Sequence, residues 1–86
     1  MEINETTILD DRGFIQISGD EAKEFLQNIV TNDVEKVSKK FTLFSSIFTP
    51  QGKYLYDFFI LKVEGGYLLE CEQDAVLEII KIFNFY

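Results

Sequence analysis

Histidine is absent from the 86 residues, which removes the commonest general base and metal ligand and leaves carboxylates, Tyr, Lys and one thiol for any chemistry. The chain is not expected to carry catalysis by itself. A single cysteine, Cys71, cannot close an internal disulfide or build a zinc or iron–sulfur site, which takes several thiolates or imidazoles. That usage fits a reducing, cytoplasmic setting. Eight basic residues stand against fifteen acidic ones, for a net charge of −7, so the clustered Lys and Arg that phosphate neutralisation needs are missing and no direct nucleic-acid binding is expected. No apolar run approaches the ~20 residues of a membrane span, and the N-terminus lacks the basic and apolar regions of a secretory signal.

What is plentiful is apolar mass. Nine Phe among 47% hydrophobic residues suffice for one small globular domain over residues 1–86 that buries roughly two thirds of its unfolded surface. No repeat, low-complexity segment or linker divides it.

Phe14, Ile15, Gln16 and Ile17 alternate as a short strand, the two Ile sharing a face. Ser18 and Glu21 are spaced as a capping box, which predicts that a helix begins there. Ala22, Phe25, Leu26, Ile29 and Val30 fall at i, i+3, i+4, i+7 and i+8, the stripe of a one-sided amphipathic helix. It should end near Thr31, Asn32 and Asp33, whose side chains favour turns. Residues 41–49 read as a strand, 50–53 as a turn, 54–63 as a second strand and 67–71 as a third, with Gly65 and Gly66 marking a tight hairpin. Val76, Ile79, Ile80 and Phe83 outline a second helix. The order β-α-β-β-β-α predicts an α+β fold, an antiparallel-rich sheet with two helices packed on one face.

Within the long strand, Tyr54, Tyr56, Phe58 and Ile60 share one side, and Leu55, Asp57, Phe59 and Leu61 the other. Asp57 therefore sits in an apolar row. It either accepts hydrogen bonds from a neighbouring loop or serves as a ligand-contacting acid. Thr31 and Asn32 suit a structural corner, and Lys53 is the residue of its turn able to meet an anionic ligand. Cys71 alternates with Tyr67 and Leu69, which predicts a small buried hydrophobe. Asp10 with Asp11, and Asp20 with Glu21 and Glu24, read as a solvated face.

Two motifs, FLQNIVTNDV from Phe25 and TPQGKYLYDFFIL from Thr49, resemble the end of the first helix and the central hairpin of YgfZ-type folate-binding proteins, relatives of the glycine-cleavage T-protein (aminomethyltransferase). The resemblance runs from Arg12 to the last helix and covers about the first third of a typical family member. It implies a tetrahydrofolate-binding protein that supports iron–sulfur enzymes indirectly, and some tRNA modification, present here as an N-terminal fragment. It also implies that Asp57 faces the folate, with Thr31, Asn32, Tyr56 and Lys53 around the pocket. The T-protein segment resembles a glycine-rich turn followed by an Asp-Asp pair, whereas this chain has Tyr56 and then Asp57, which argues against glycine-cleavage activity. The functional cysteine of YgfZ-type proteins belongs to a K-G-C-Y-x-G-Q-E motif that is not in this chain, so Cys71 does not inherit its role. The rivals are an aminomethyltransferase and a non-catalytic interaction module from a truncated or split gene. Because the family places a further strand where this sequence stops, the sheet is expected to keep an unpaired edge. Phe83, Phe85 and Tyr86 would then lack partners, and the chain is expected to self-associate.

Overall fold

The computed structural model describes residues 1–9, 11–38, 42–48 and 54–85. Thr49, Pro50, Gln51, Gly52 and Lys53, together with Asp10, Phe41 and Tyr86, lie outside them, so the expected turn at 50–53 is not among the described elements. The chain order is β1 (Glu2–Leu9), β2 (Arg12–Ser18), α1 (Ala22–Ile29), β3 (Leu43–Phe48), β4 (Tyr54–Val63), β5 (Gly66–Glu72) and α2 (Val76–Phe85), with short 3-10 turns at Val34–Lys36 and Gln73–Ala75. Among the described residues five strands form one sheet in the order β1-β2-β5-β4-β3, and each neighbouring pair is antiparallel. This is the expected α+β architecture.

The period-2 pattern decides which side of the sheet is covered. Ile15 and Ile17 of β2, Tyr67, Leu69 and Cys71 of β5, Phe58 and Ile60 of β4 and Ile47 of β3 are all buried. Ala22 and Leu26 of α1 and Val76, Ile79 and Phe83 of α2 pack on them. Phe83 ties the layers together: its ring meets Phe25 of α1 edge-on at 5.5 Å between centroids and Phe58 of β4 at 6.4 Å. Its burial corrects the expectation that Phe83 lacks partners; Phe85 is 86% exposed.

β1 is an additional strand ahead of the expected order. It pairs with β2 from Glu2↔Ser18 to Leu9↔Arg12, with an irregularity between Glu5 and Ile8. The capping box does not form. Ser18 is the last residue of β2, Gly19 adopts φ +114°, and the helix begins at Ala22 behind Glu21, which makes no side-chain cap hydrogen bond. With Glu21 in the cap position, Ser18 lies three residues ahead of it and its hydroxyl does not meet the amides of the first turn. The hairpin from β4 to β5 does form as expected: Val63 pairs with Gly66, and Gly65 takes the left-handed φ of +82° that glycine adopts without steric cost.

Among the described residues the opposite side of the sheet carries no helix. The register puts Phe44 opposite Phe59 and Ser46 opposite Asp57 across β3 and β4, and Phe59 opposite Glu70 across β4 and β5. This open face is the setting of the candidate site.

Candidate functional site

Asp57 projects from the middle of the open face, and its carboxylate is exposed. The apolar row seen in the sequence is real, but it is the outward row: Leu55 and Leu61 are half-buried and Phe59 is 39% exposed. The alternation separated the two rows correctly, while the buried row turned out to be that of Phe58 and Ile60. Among the described residues Asp57 accepts no hydrogen bond and pairs with no cation. Beside it, where β4 begins and β5 ends, lies a half-open recess of roughly 200 Å³ lined by Leu55, Tyr56, Asp57, Glu72 and Ala75. Glu72 thus joins Asp57 as a second acid, a partner that emerges only from the shared lining of the recess. Tyr56 reaches this recess from the other side, since its ring is packed against the core.

Thr31 and Asn32 occupy a different place, along the free edge of β3. The Thr31 amide donates to the Ser46 carbonyl at 3.0 Å, and the Ser46 amide donates to Thr31 Oγ1 at 3.1 Å. Asn32 Nδ2 donates to the Phe44 carbonyl at 3.2 Å, and its Oδ1 accepts from the Asp33 amide at 2.8 Å. The Thr31 hydroxyl also lies 3.4 Å from that of Ser45, which is buried. Both side chains therefore spend their polar atoms on the backbone and on Ser45, as corner residues do. The corner continues through Asp33, which accepts from the Glu35 amide, and Gln27, which accepts from the Val34 amide and donates to the Asn32 carbonyl. Through Ser46, the corner is one strand away from Asp57. Lys53, the remaining expected contributor, lies outside the described residues.

On the open face the Phe44 and Phe59 rings meet at 5.1 Å with an interplanar angle of 63°, although Phe44 is 50% exposed. Arg12 Nε donates to Glu70 at 3.4 Å. The spacing of two phenylalanines in separate strands carries no signal in sequence until their register is known. Among the described residues no cluster of three or more His, Cys, Asp or Glu could hold a metal ion, and no helix is long and apolar enough to cross a membrane.

Cys71 lies under the sheet, fully buried, with its Sγ 3.9 Å from the Gly13 carbonyl. Burial pushes its thiol up to about 11, with Glu70 and Glu72 adding to the rise and Arg12 opposing it. The folded chain thus holds this proton more tightly than the unfolded one, whose thiol titrates near 9.0. The sign follows: this contribution to stability is complete below pH 9 and is lost as pH rises towards 11. A thiol-specific reagent at pH 8 is expected to leave the native protein unlabelled and to react promptly once urea unfolds it. Prompt labelling of the native chain would contradict the burial.

An aminomethyltransferase of Desulforamulus reducens is 40% identical to this chain over 58 residues, a stretch covering 66% of the chain and 16% of the relative. The chain therefore matches only about a sixth of that relative's length. No family model matches the chain, and no solved structure matches it significantly. The similarity supports the T-protein superfamily.

Proposed function

We propose that this chain supplies one wall of a tetrahydrofolate site in a T-protein-related protein, with Asp57 as its ligand-facing acid. The observation that carries the reading is Asp57 itself: an exposed carboxylate, without a protein partner among the described residues, on the helix-free face and at the lip of a recess. A carboxylate is an acceptor with two oxygens. The amino group and adjacent ring N–H of a pterin offer two parallel donors, and hydrogen bonds to a charged acceptor are about twice as strong as neutral ones. The 40% identity to an aminomethyltransferase supports a folate-related ancestry.

Within that superfamily we favour a YgfZ-type binder that supports iron–sulfur enzymes and tRNA modification. Its support is that β4 carries one acid at this point and not an adjacent pair: the residue before Asp57 is Tyr56, whose ring is packed against the core. Aminomethyl transfer is the second reading, favoured by the name of the relative. Tetrahydrofolate-dependent release of ammonia from an aminomethylated lipoyl carrier, by a protein containing this sequence, would select it.

A single wall buries too little of a small ligand to hold it tightly, since such ligands need most of their surface enclosed. Titrating the ¹⁵N-labelled chain with tetrahydrofolate is therefore expected to give millimolar-range binding. Amide shifts should be concentrated at Phe44, Ser46, Leu55, Asp57, Phe59 and Glu72. Asp57→Asn, which keeps the side-chain shape but loses the charge, is expected to weaken binding about tenfold. Shifts confined to the helices, or none at all, would refute the site, and sub-micromolar affinity would refute the single-wall argument.

A further inference from the structure

The two border strands of the sheet are unlike. Along β3, Thr31 and Asn32 bond the Ser46 amide and carbonyl and the Phe44 carbonyl. Along β1, no backbone group bonds anything besides β2 among the described residues. Alternate residues of such a strand turn both N–H and C=O away from the sheet, and an extended peptide can add to them as a further strand. From Glu2↔Ser18 to Glu5↔Ile15 the pairing with β2 is regular, and α2 packs on β1, so this part of the border is held in place.

Its side chains give the border a chemical character. Ile3 and Glu5 stand opposite Ile17 and Ile15 and share the helix side of the sheet, whereas Glu2 and Asn4 stand opposite Ser18 and Gln16 on the open side. Ile3 is half-buried at the rim of the core. Glu2 and Glu5 are exposed, and neither carboxylate meets a cation among the described residues.

We propose that β1 accepts a basic, extended segment of a partner protein as an added antiparallel strand of the order Lys-x-apolar-Lys. In that direction the guest meets Glu5, Asn4, Ile3 and Glu2 in turn. Lysines opposite Glu5 and Glu2 form cross-strand pairs of opposite charge, one on each side of the sheet. An apolar residue opposite Ile3 covers the exposed part of its side chain, and the position opposite Asn4 is free to vary. Every pairing already in the sheet is antiparallel, and antiparallel ladders are the more stable per residue. The net charge of −7 favours encounter with a basic segment. The inference is independent of the folate reading, since β2 and β5 separate β1 from the strand that carries Asp57.

The test titrates the ¹⁵N-labelled chain with blocked synthetic peptides. Thr-Lys-Thr-Ile-Lys-Thr is expected to bind with sub-millimolar affinity, to shift the amides of Ile3, Asn4 and Glu5, and to slow hydrogen exchange at alternate residues of β1. Glutamates in place of both lysines should weaken it at least about tenfold, and Glu2→Gln with Glu5→Gln in the protein about fivefold. A thermal melt of that variant establishes that the fold is retained. Two further peptides carry N-methyl groups on alternate amides. The set that blocks the amides facing β1 should abolish binding, and the complementary set should leave it within about twofold. Thr-Lys-Ile-Thr-Lys-Thr, ordered for a parallel guest, should bind more weakly; a preference for it overturns the antiparallel register. Binding that tolerates both N-methyl sets, with shifts spread over Asp20, Glu24 and Asp74, is charge attraction without strand addition and overturns the proposal. So does equal binding of the glutamate peptide, or no response in β1.

Discussion

Alanine in place of Gly66 is expected to leave the domain unfolded or nearly so. A Cβ built at this position would lie 2.0 Å from the Ile17 carbonyl oxygen and 2.8 Å from Ser18 Cα. Both atoms are backbone of β2, so no side chain can swing aside. Relief requires β2 and β5 to part, and these strands share a continuous register from Arg12↔Glu72 to Ser18↔Gly66 in the middle of the sheet. A domain of this size has roughly 4–13 kcal/mol of stability in all, and a clash of this kind should remove at least ~4 kcal/mol of it. Gly65→Ala is the informative contrast. Its φ of +82° disfavours a side chain, yet nothing lies within 4 Å of the added carbon, so the cost should be ~1–2 kcal/mol of backbone strain. Urea unfolding followed by circular dichroism separates the two. A folded Gly66→Ala protein with a midpoint near that of Gly65→Ala would show that β2 and β5 do not approach as closely as described.

The second large effect is expected from Phe83→Ala. This ring is 1% exposed and stands between Phe25 of α1 and Phe58 of β4, crossing each at 87°. Its loss removes contact with both helix and sheet neighbours at once and leaves a cavity that the rigid sheet cannot collapse to fill. Phenylalanine-to-alanine changes in such positions cost about 3–5 kcal/mol. Leu77→Ala on the same helix, at a residue 68% exposed, should change stability by no more than ~0.5 kcal/mol. Similar losses from the two substitutions would mean that α2 does not dock through Phe83.

Elements with a strong apolar period could be read directly from the residues. The stripe from Ala22 to Val30 became α1, the aromatic-rich run became β4 with the same limits, and the Gly65–Gly66 pair became its hairpin. β1 escaped because EINETTIL mixes glutamates and threonines among few apolar residues, as an edge strand with only one neighbour can. The capping box failed for a different reason: the side chains matched the motif, but β2 runs through Ser18, Gly19 turns the chain at φ +114°, and the helix starts only at Ala22. Asp57 shows where local pattern stops. Periodicity assigns it to a row, whereas only the docking of both helices on the opposite row shows that its own row is open. The Phe44–Phe59 pair needed the register of β3 with β4, and Glu72 the recess it shares with Asp57, before they could be associated with it at all.

The corner at Thr31 and Asn32 has a consequence for templating. A foreign strand arriving at β3 would find the Ser46 amide and carbonyl and the Phe44 carbonyl already engaged, and would have to displace a covalently tethered competitor. The other border of the sheet, β1, is regular only over Glu2, Ile3, Asn4 and Glu5 before its irregularity. Centred antiparallel pairing of that run with its own copy would set Glu2 against Glu5 twice, and like charges placed directly opposite destabilise a ladder. A lysine-bearing strand would meet no such repulsion. At the border strand, the fold therefore disfavours its own likeness while leaving room for an unlike guest.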